Sequence, residues 1–329
     1  MIVAGAGFMG RAHLRAAKGL PGVSYVGVVD SRREAAEESA SAYGLPAFTE
    51  LAPAIALLRP DAVDVCVPTP SHLPLVEACA ERGVHVLCEK PVALSLPDAR
   101  RVCRLADEKK IRVMIAQVLR FWPEYRFAVE AARGKQFGSV LSVDCRRLSP
   151  PPDWNSWMMQ EDVGGGAAID LQIHDMDFIL QLLGPPRAVE ASGRREQGAW
   201  NAVRSRLVFD SPAQATVHAS YLEPSSYPFR MFFHIEFEEA ALEMDFWRPK
   251  GERLRVFPRQ GQAFSPALPA EDAYAAEIAY FARSLAAGAP FDRAPLGESV
   301  VALQMCLASR LACEEGRAVE LAALEKGGA

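Results

Sequence analysis

The chain has 329 residues, half of them apolar, and a formal net charge of -5; that length and apolar fraction suffice for two domains of ordinary size. Its basic residues are scattered rather than gathered into a cationic run, which argues against nucleic acid or an anionic membrane as partner. No apolar stretch reads as approaching the ~20 residues that span a bilayer.

Over the first ~115 residues short apolar runs alternate with helical patterns, as parallel strands joined by helical crossovers do. Strands are expected at Ile2–Ala4, Ser24–Asp30, Asp61–Val67, Val84–Cys88 and Arg112–Ala116, and helices at Met9–Leu20, Glu34–Tyr43, His72–Arg82 and Pro97–Lys109. After Gln117 the alternation stops. A helix over Trp122–Ala132, a strand over Ser139–Arg147 and a loop rich in proline and tryptophan lead to a glycine-punctuated helix from about Ala167 to Leu183. β-Rich runs around Val189, Leu207, Val217, Phe233, Leu242 and Val256 have no helices between them and predict a mostly antiparallel sheet. Helices at Tyr274–Leu285 and Ser299–Glu315 follow a surface loop at Gln260–Ala270. The predicted fold is α/β, with a doubly wound parallel sheet over residues 1–117 and a second α/β domain on an open sheet over 118–329.

Gly5, Gly7 and Gly10 fit G-x-G-x-x-G directly after a strand and at the start of a helix. In that setting the glycines let the backbone approach a pyrophosphate, and the helix start offers it unpaired N–H groups. Asp30 ends the next strand, where a carboxylate accepts hydrogen bonds from adenosine ribose hydroxyls and repels a 2′-phosphate. NAD is therefore favoured. Arg32 and Arg33 follow at once and offer a cradle for the NADP phosphate, so NADP stays open, although the plainer reading of both is a solvated helix start.

Two further motifs carry chemistry. Lys90, in Glu89-Lys90-Pro91, stands at the carboxyl end of a parallel strand, where such sheets bind their ligands; the plainer reading is a surface pair with Glu89. A cis bond at Pro91 would fix the turn that aims Lys90. Behind Gly164-Gly165-Gly166, Asp170 and His174 are four apart and would share a helix face, supplying a base and a group that orients it. The seven cysteines form no Cys-x-x-Cys pair and read as buried thiols of a reducing compartment. Cys306 and Cys313 lie two turns apart with no histidine near them in sequence, so no metal is expected. With no basic leader before the first strand, the expected location is the cytoplasm.

In this order, the glycine loop with Asp30, Thr69-Pro70-Ser71-His72, Glu89-Lys90-Pro91, Arg120-Phe121, and the triple glycine with Asp170 and His174 resemble the Gfo/Idh/MocA oxidoreductases along the whole chain. The resemblance implies an amino-terminal Rossmann domain and a carboxy-terminal domain with an open, mostly antiparallel sheet. It implies Lys90, Asp170 and His174 as the catalytic set. The cofactor would be held by Gly5, Gly7, Phe8, Met9 and Gly10, by Asp30, Ser31 and Arg32, by Thr69, Pro70 and His72, and by Glu89, Lys90 and Gln117. Many members carry a histidine where this chain has Pro74, and His72 is the expected substitute. Substrate contacts are expected from Lys90, Arg120, Trp157, Asp170 and His174, with Phe121, Trp122, Tyr125 and Trp154 as further walls of a pocket between the domains.

The implied reaction is hydride transfer between nicotinamide and a secondary alcohol or carbonyl of a sugar, inositol or related polyol. The hydroxyl proton must also leave, and His174 or Lys90 would take it. Rival readings are a non-sugar cyclic diol or carbonyl as substrate, or a non-catalytic dinucleotide sensor. The open sheet face would make a homodimer or homotetramer.

Overall fold

A computed structural model describes residues 1–153 and 156–326. The chain divides into two compact units, Met1–Phe121 with Glu271–Val300, and Trp122–Ala270 with Val301–Ala329.

The first unit carries β1 (Ile2–Ala4), α1 (Phe8–Ala17), β2 (Gly27–Val29), α2 (Arg33–Ser41), β3 (Ala47–Phe48), α3 (Leu51–Leu58), β4 (Ala62–Val65), α4 (His72–Ala80), β5 (His85–Glu89), α5 (Leu96–Lys109) and β6 (Val113–Ala116). Its six strands are all parallel, in the order β3-β2-β1-β4-β5-β6. The order reverses between β1 and β4, so the crevice at their carboxyl ends is the natural ligand position of such a sheet. Val3, Val28, Val63, Val65, Val86 and Leu87 are fully buried, as strands covered by helices on both faces must be. Helix α5 shows how the sequence sets its own limits. The Ser95 side chain caps its start by accepting the Asp98 N–H, and Lys110 ends it in the left-handed region.

The second unit carries α6 (Pro123–Arg133), β7 (Val140–Leu148), α7 (Gln172–Leu183), β8 (Ala188–Glu196), β9 (Ala199–Val208), β10 (Gln214–Ser220), β11 (Arg230–Phe237), β12 (Ala240–Asp245) and β13 (Leu254–Pro258). The chain then returns to the first unit with α8 (Ala273–Ala286), and α9 (Leu296–Glu315), β14 (Val319–Glu320) and α10 (Leu321–Lys326) close it. The second sheet has the order β13-β12-β11-β7-β10-β9-β8-β14, antiparallel except for β7 beside β10. On β9 the alternate residues Ala199, Asn201, Val203, Ser205 and Leu207 are buried, the period-two pattern of a sheet with one covered face. Tyr125, Phe178 and Phe233 from α6, α7 and β11 pack edge-on or tilted with centroids 4.7 to 5.1 Å apart and form the core beneath that face.

Three expectations need correction. The second domain does not run unbroken from 118 to 329, because residues 271–300 belong to the first unit: α8 packs on α1, and Arg112 donates to the carbonyls of Ser284 and Ala289. Strand β3 and helix α3 stand where no element was expected, since β3 has two residues and the sequence Leu51-Ala52-Pro53-Ala54-Ile55-Ala56-Leu57-Leu58 has no polar face to mark a helix. Finally, α9 is by length and composition apolar enough to cross a membrane, and 56% of that stretch is buried inside the protein, with Ala302, Leu303, Met305, Cys306 and Ala308 fully enclosed as in a core helix.

Candidate functional site

The glycine loop links β1 to α1. Gly5 has a φ of +105°, and a Cβ there would stand 2.3 Å from the Cys66 carbonyl oxygen; at Gly10 it would stand 1.8 Å from the Gly5 carbonyl oxygen. Both positions are closed to any side chain by the protein's own backbone. Gly7 differs: a Cβ would meet nothing within 4 Å. Its missing side chain leaves room beside the first turn of α1, which carries no acidic residue. Open space at a helix start with unpaired N–H groups fits a pyrophosphate. At the end of β6, Gln117 is 2% exposed and its Nε2 is buried without a hydrogen-bond partner among the described residues. Such an orphaned donor also fits a bound ligand.

Asp30 follows β2 and is held by the loop it faces. Its Oδ2 accepts the Ala6 N–H and its Oδ1 the Arg32 N–H, each at 2.9 Å. The Arg32 Nε stands 3.5 Å from the same carboxylate, and Arg33 pairs across one turn with Glu37 at 3.7 Å, so both arginines already face carboxylates. Ser31 is exposed, as is Phe8, while Met9 packs against the core beside Val3 and Leu14.

Thr69 and Pro70 form a short 3-10 turn leading into α4. His72 does not replace a ligand-facing histidine. It is 1% exposed, with Nδ1 2.9 Å from the Pro91 carbonyl oxygen and Nε2 3.0 Å from that of Val67. Burial lowers its pKa, against the pull of these carbonyls. Its ring braces this turn against the one after β5 from inside. The Lys90–Pro91 peptide bond is cis, as the sequence had suggested. Glu89 also turns inward: its Oε2 accepts the Lys90 backbone N–H at 3.1 Å and its Oε1 lies 3.2 Å from His13 Nε2. Glu89 is thus a support for the Lys90 turn where a cofactor contact had been expected.

Arg120 is 3% exposed, and its Nη1 donates to the Glu298 carboxylate at 2.6 Å and to the Arg293 carbonyl at 2.9 Å. A buried guanidinium needs such a partner, and Glu298 makes Arg120 structural within the first unit where a substrate contact had been expected. Phe121 and Tyr125 are likewise core residues, at most 1% exposed. Trp122 meets Phe246 edge-on. Trp157 lies in a 3-10 turn over Ser156–Met159 and is partly buried, while Trp154 lies outside the described residues.

In the second unit the triple glycine is dictated by packing. A Cβ on Gly164 would stand 2.4 Å from the Met158 backbone, and Gly166, at φ +63°, would push one to within 2.9 Å of Asn201 Oδ1. Asn201 is fully buried; it accepts the Ala167 N–H and donates to the carbonyls of Met159 and Glu196. The expected single helix begins instead as a π-turn over Ala167–Leu171, and α7 continues from Gln172. Such wider turns recur at functional sites. Asp170 sits in the π-turn, 7% exposed, and His174, partly buried, lies in the first turn of α7.

The structure gives Asp170 a partner that sequence spacing could not reveal. The Tyr221 hydroxyl, just beyond β10, donates to Asp170 Oδ2, and burial together with that carboxylate raises the tyrosine's pKa well above its ordinary value. Next to His174, Asp175 forms a buried bidentate pair with Arg147 of β7, at 2.8 and 3.1 Å. Burial alone would lower the guanidinium's pKa; Asp175, with Tyr125, raises it beyond the usual arginine value. This pair ties the first turn of α7 to the sheet. None of the seven cysteines is in a disulfide. His13 Nδ1, the Asp64 carboxylate and Cys66 Sγ lie within 4.8 Å of one another, a spacing that a metal could use, but they hydrogen-bond to each other and burial raises the Cys66 pKa, keeping it a thiol.

Comparison with known proteins matches part of each unit. Residues 1–117 match a family model described as an oxidoreductase family with an NAD-binding Rossmann fold, and residues 125–243 match the GFO/IDH/MocA C-terminal domain. An inositol 2-dehydrogenase of Rhizobium meliloti is 27% identical over 334 residues, covering 97% of this chain and 98% of that one. D-xylose 1-dehydrogenase (NADP(+)) 2 of Haloferax volcanii is 28% identical over 298 residues, covering 88% and 90%. Among solved structures, UDP-N-acetylglucosamine 3-dehydrogenase from Acidithiobacillus ferrooxidans superposes with a TM-score of 0.81 at 25% identity, covering 95% of this chain and 97% of that one. Levoglucosan dehydrogenase in complex with NADH and levoglucosan shares the fold with a TM-score of 0.86 at 21% identity, covering 97% and 98%.

Proposed function

From the premise that this chain belongs to the Gfo/Idh/MocA oxidoreductases, we propose that it is an NAD-dependent dehydrogenase of a sugar, inositol or related polyol. The observation that carries the reading is the clear space at Gly7 after β1, together with the orphaned Gln117 amide after β6 and Lys90 after β5, all at the carboxyl ends of strands of the same parallel sheet. The substrate class is drawn from relatives that act on inositol, D-xylose and UDP-N-acetylglucosamine. NAD is preferred to NADP because Asp30 places a carboxylate at the end of β2, while Arg32 and Arg33 face Asp30 and Glu37.

The bound nicotinamide would accept or return hydride. In this reading Gly5 to Gly10 hold the pyrophosphate, Asp30 the ribose, and Thr69, Pro70 and Gln117 flank the nicotinamide half. His174 takes the hydroxyl proton of the substrate, and Lys90 donates to the same oxygen as negative charge grows on it. Asp170, fixed by Tyr221, holds a neighbouring substrate hydroxyl. The enzyme works in the cytoplasm, consistent with its seven unpaired cysteines, as a homodimer or homotetramer built on the open face of the eight-stranded sheet.

The test is cofactor reduction across a panel of D-xylose, myo-inositol, D-glucose, UDP-N-acetylglucosamine and cyclohexane-1,2-diol. Turnover of a carbohydrate or inositol that His174→Ala abolishes supports the reading. Turnover of the plain diol alone moves the substrate class, and NAD binding with no turnover would favour a sensor.

A further inference from the structure

Inside the first unit, beneath the Lys90 turn, lies a cluster of ionisable side chains for which the proposed chemistry has no use. His13, on the buried face of α1, has no exposed surface. Its Nδ1 is 2.9 and 3.2 Å from the two carboxylate oxygens of Asp64, on β4. On the opposite edge of the ring, Nε2 stands 3.2 Å from Glu89 Oε1, an ion-pair distance without the alignment of a full hydrogen bond. Tyr25 and Cys66 both donate to Asp64. From α8, Tyr274 approaches with its ring centroid 6.0 Å from that of His13, and Glu277, also fully buried, has neither carboxyl oxygen hydrogen-bonded among the described residues.

Both nitrogens of the His13 ring thus face carboxylate oxygens. A neutral imidazole has one N–H and one lone pair, and would turn that lone pair on an anion. Only the imidazolium offers a proton to each side. It also compensates buried carboxylates whose isolation from water would otherwise be costly. Burial pulls the His13 pKa down, but the Asp64 carboxylate more than reverses this and holds it well above the ordinary value. Glu277 is the complement: burial raises its pKa well above that of an ordinary carboxyl and so disfavours a third anion in the cluster.

The consequence reaches Lys90 through Glu89. One oxygen of that carboxylate faces His13 and the other accepts the Lys90 backbone N–H. We propose that His13 is a positioning residue for Lys90: as an imidazolium shared between Asp64 and Glu89, it fixes the carboxylate to which the Lys90 backbone is tied. The proposal rests on the reading that Lys90 acts on the substrate oxygen. It gives the Glu-Lys-Pro glutamate a role inside the fold, distinct from any contact with cofactor.

The test has two arms on the full chain. In ¹⁵N-histidine NMR of the wild type, both ring nitrogens of His13 should remain protonated past the ordinary imidazole range; the signal is assigned by its loss in His13→Gln. A neutral His13 at pH 7, with one nitrogen carrying a lone pair, overturns the proposal. In the kinetic arm, His13→Gln and, separately, Glu89→Gln should lower kcat about tenfold or more on the best substrate of the panel, while NADH affinity changes less than about threefold, because a displaced catalytic group costs turnover before binding. Glu89→Gln leaves the His13–Asp64 pair intact, so it carries this arm if His13→Gln fails to fold. Unchanged kcat in the variants that fold overturns the positioning role. Full turnover in Lys90→Ala would instead overturn the functional reading of Lys90, an outcome distinguishable from a neutral His13 in the spectrum.

Discussion

Replacing Asp30 separates the two things its carboxylate does. Its oxygens accept the Ala6 and Arg32 N–H groups at 2.9 Å, so the side chain orders the glycine loop, and in the proposed reading it also receives the ribose hydroxyls. A hydrogen bond to a charged acceptor contributes about 1.5–3 kcal/mol, so loss of one ribose contact in Asp30→Ala should weaken NADH by roughly 10- to 150-fold. The same substitution removes the anion that repels a 2′-phosphate, so NADPH should lose far less, and the preference for NADH should shrink at least about tenfold. Asp30→Asn serves as control, keeping one carbonyl acceptor for the loop but no charge. Fluorescence titration of wild type and both variants with NADH and NADPH measures the ratio. Equal losses for the two cofactors in Asp30→Ala would refute the reasoning and reduce Asp30 to a loop support.

The remaining predictions address the second unit and the buried acids. Asp175→Asn breaks a buried ion pair and should cost about 3–5 kcal/mol; at ~2–4 °C per kcal/mol for a unit of this size, melting should fall by roughly 6–20 °C in a thermal scan. A shift below about 2 °C would show that the pair contributes little. Tyr221→Phe leaves Asp170 without its hydroxyl donor and should lower kcat about tenfold with NADH affinity intact, whereas unchanged kcat would make Tyr221 a packing residue. Burial raises the folded pKa of Glu277 well above its unfolded value near 4.5, so its contribution is full below that value and is lost as pH rises toward the higher folded pKa. Glu277→Gln should therefore gain stability over wild type as pH rises above about 5 in urea titrations; parallel pH profiles would contradict the raised pKa of Glu277.

Motifs whose logic is local were legible in the sequence. The glycine loop needs only its strand, its helix and Asp30, and each stands where the spacing put it. The cis Lys90–Pro91 bond, by contrast, was only one option that the sequence left open. What escaped depends on partners far along the chain. Tyr221 reaches Asp170 across 51 residues, His13 reaches Asp64 across the same separation, and Arg120 finds Glu298 across 178. No periodicity encodes such pairs. His72 misled because a histidine near the right position suggested a ligand contact, whereas burial and two carbonyls make it a brace. The π-turn at Ala167–Leu171 escaped because the triple glycine marks a tight passage past Met158 and Asn201 without specifying how the next turn winds.

The central claim, that a dinucleotide bound at Gly5–Gly10 exchanges hydride with a polyol under acid–base control by this chain, is tested most directly by nicotinamide absorbance during turnover of the panel by wild type and His174→Ala. The account predicts NAD reduction with at least one sugar or inositol, a loss of about 10²- to 10⁴-fold in His174→Ala, and equal NADH affinity in the two proteins. Tight NADH binding by wild type with no turnover of any carbohydrate, or a fully active His174→Ala, would contradict it.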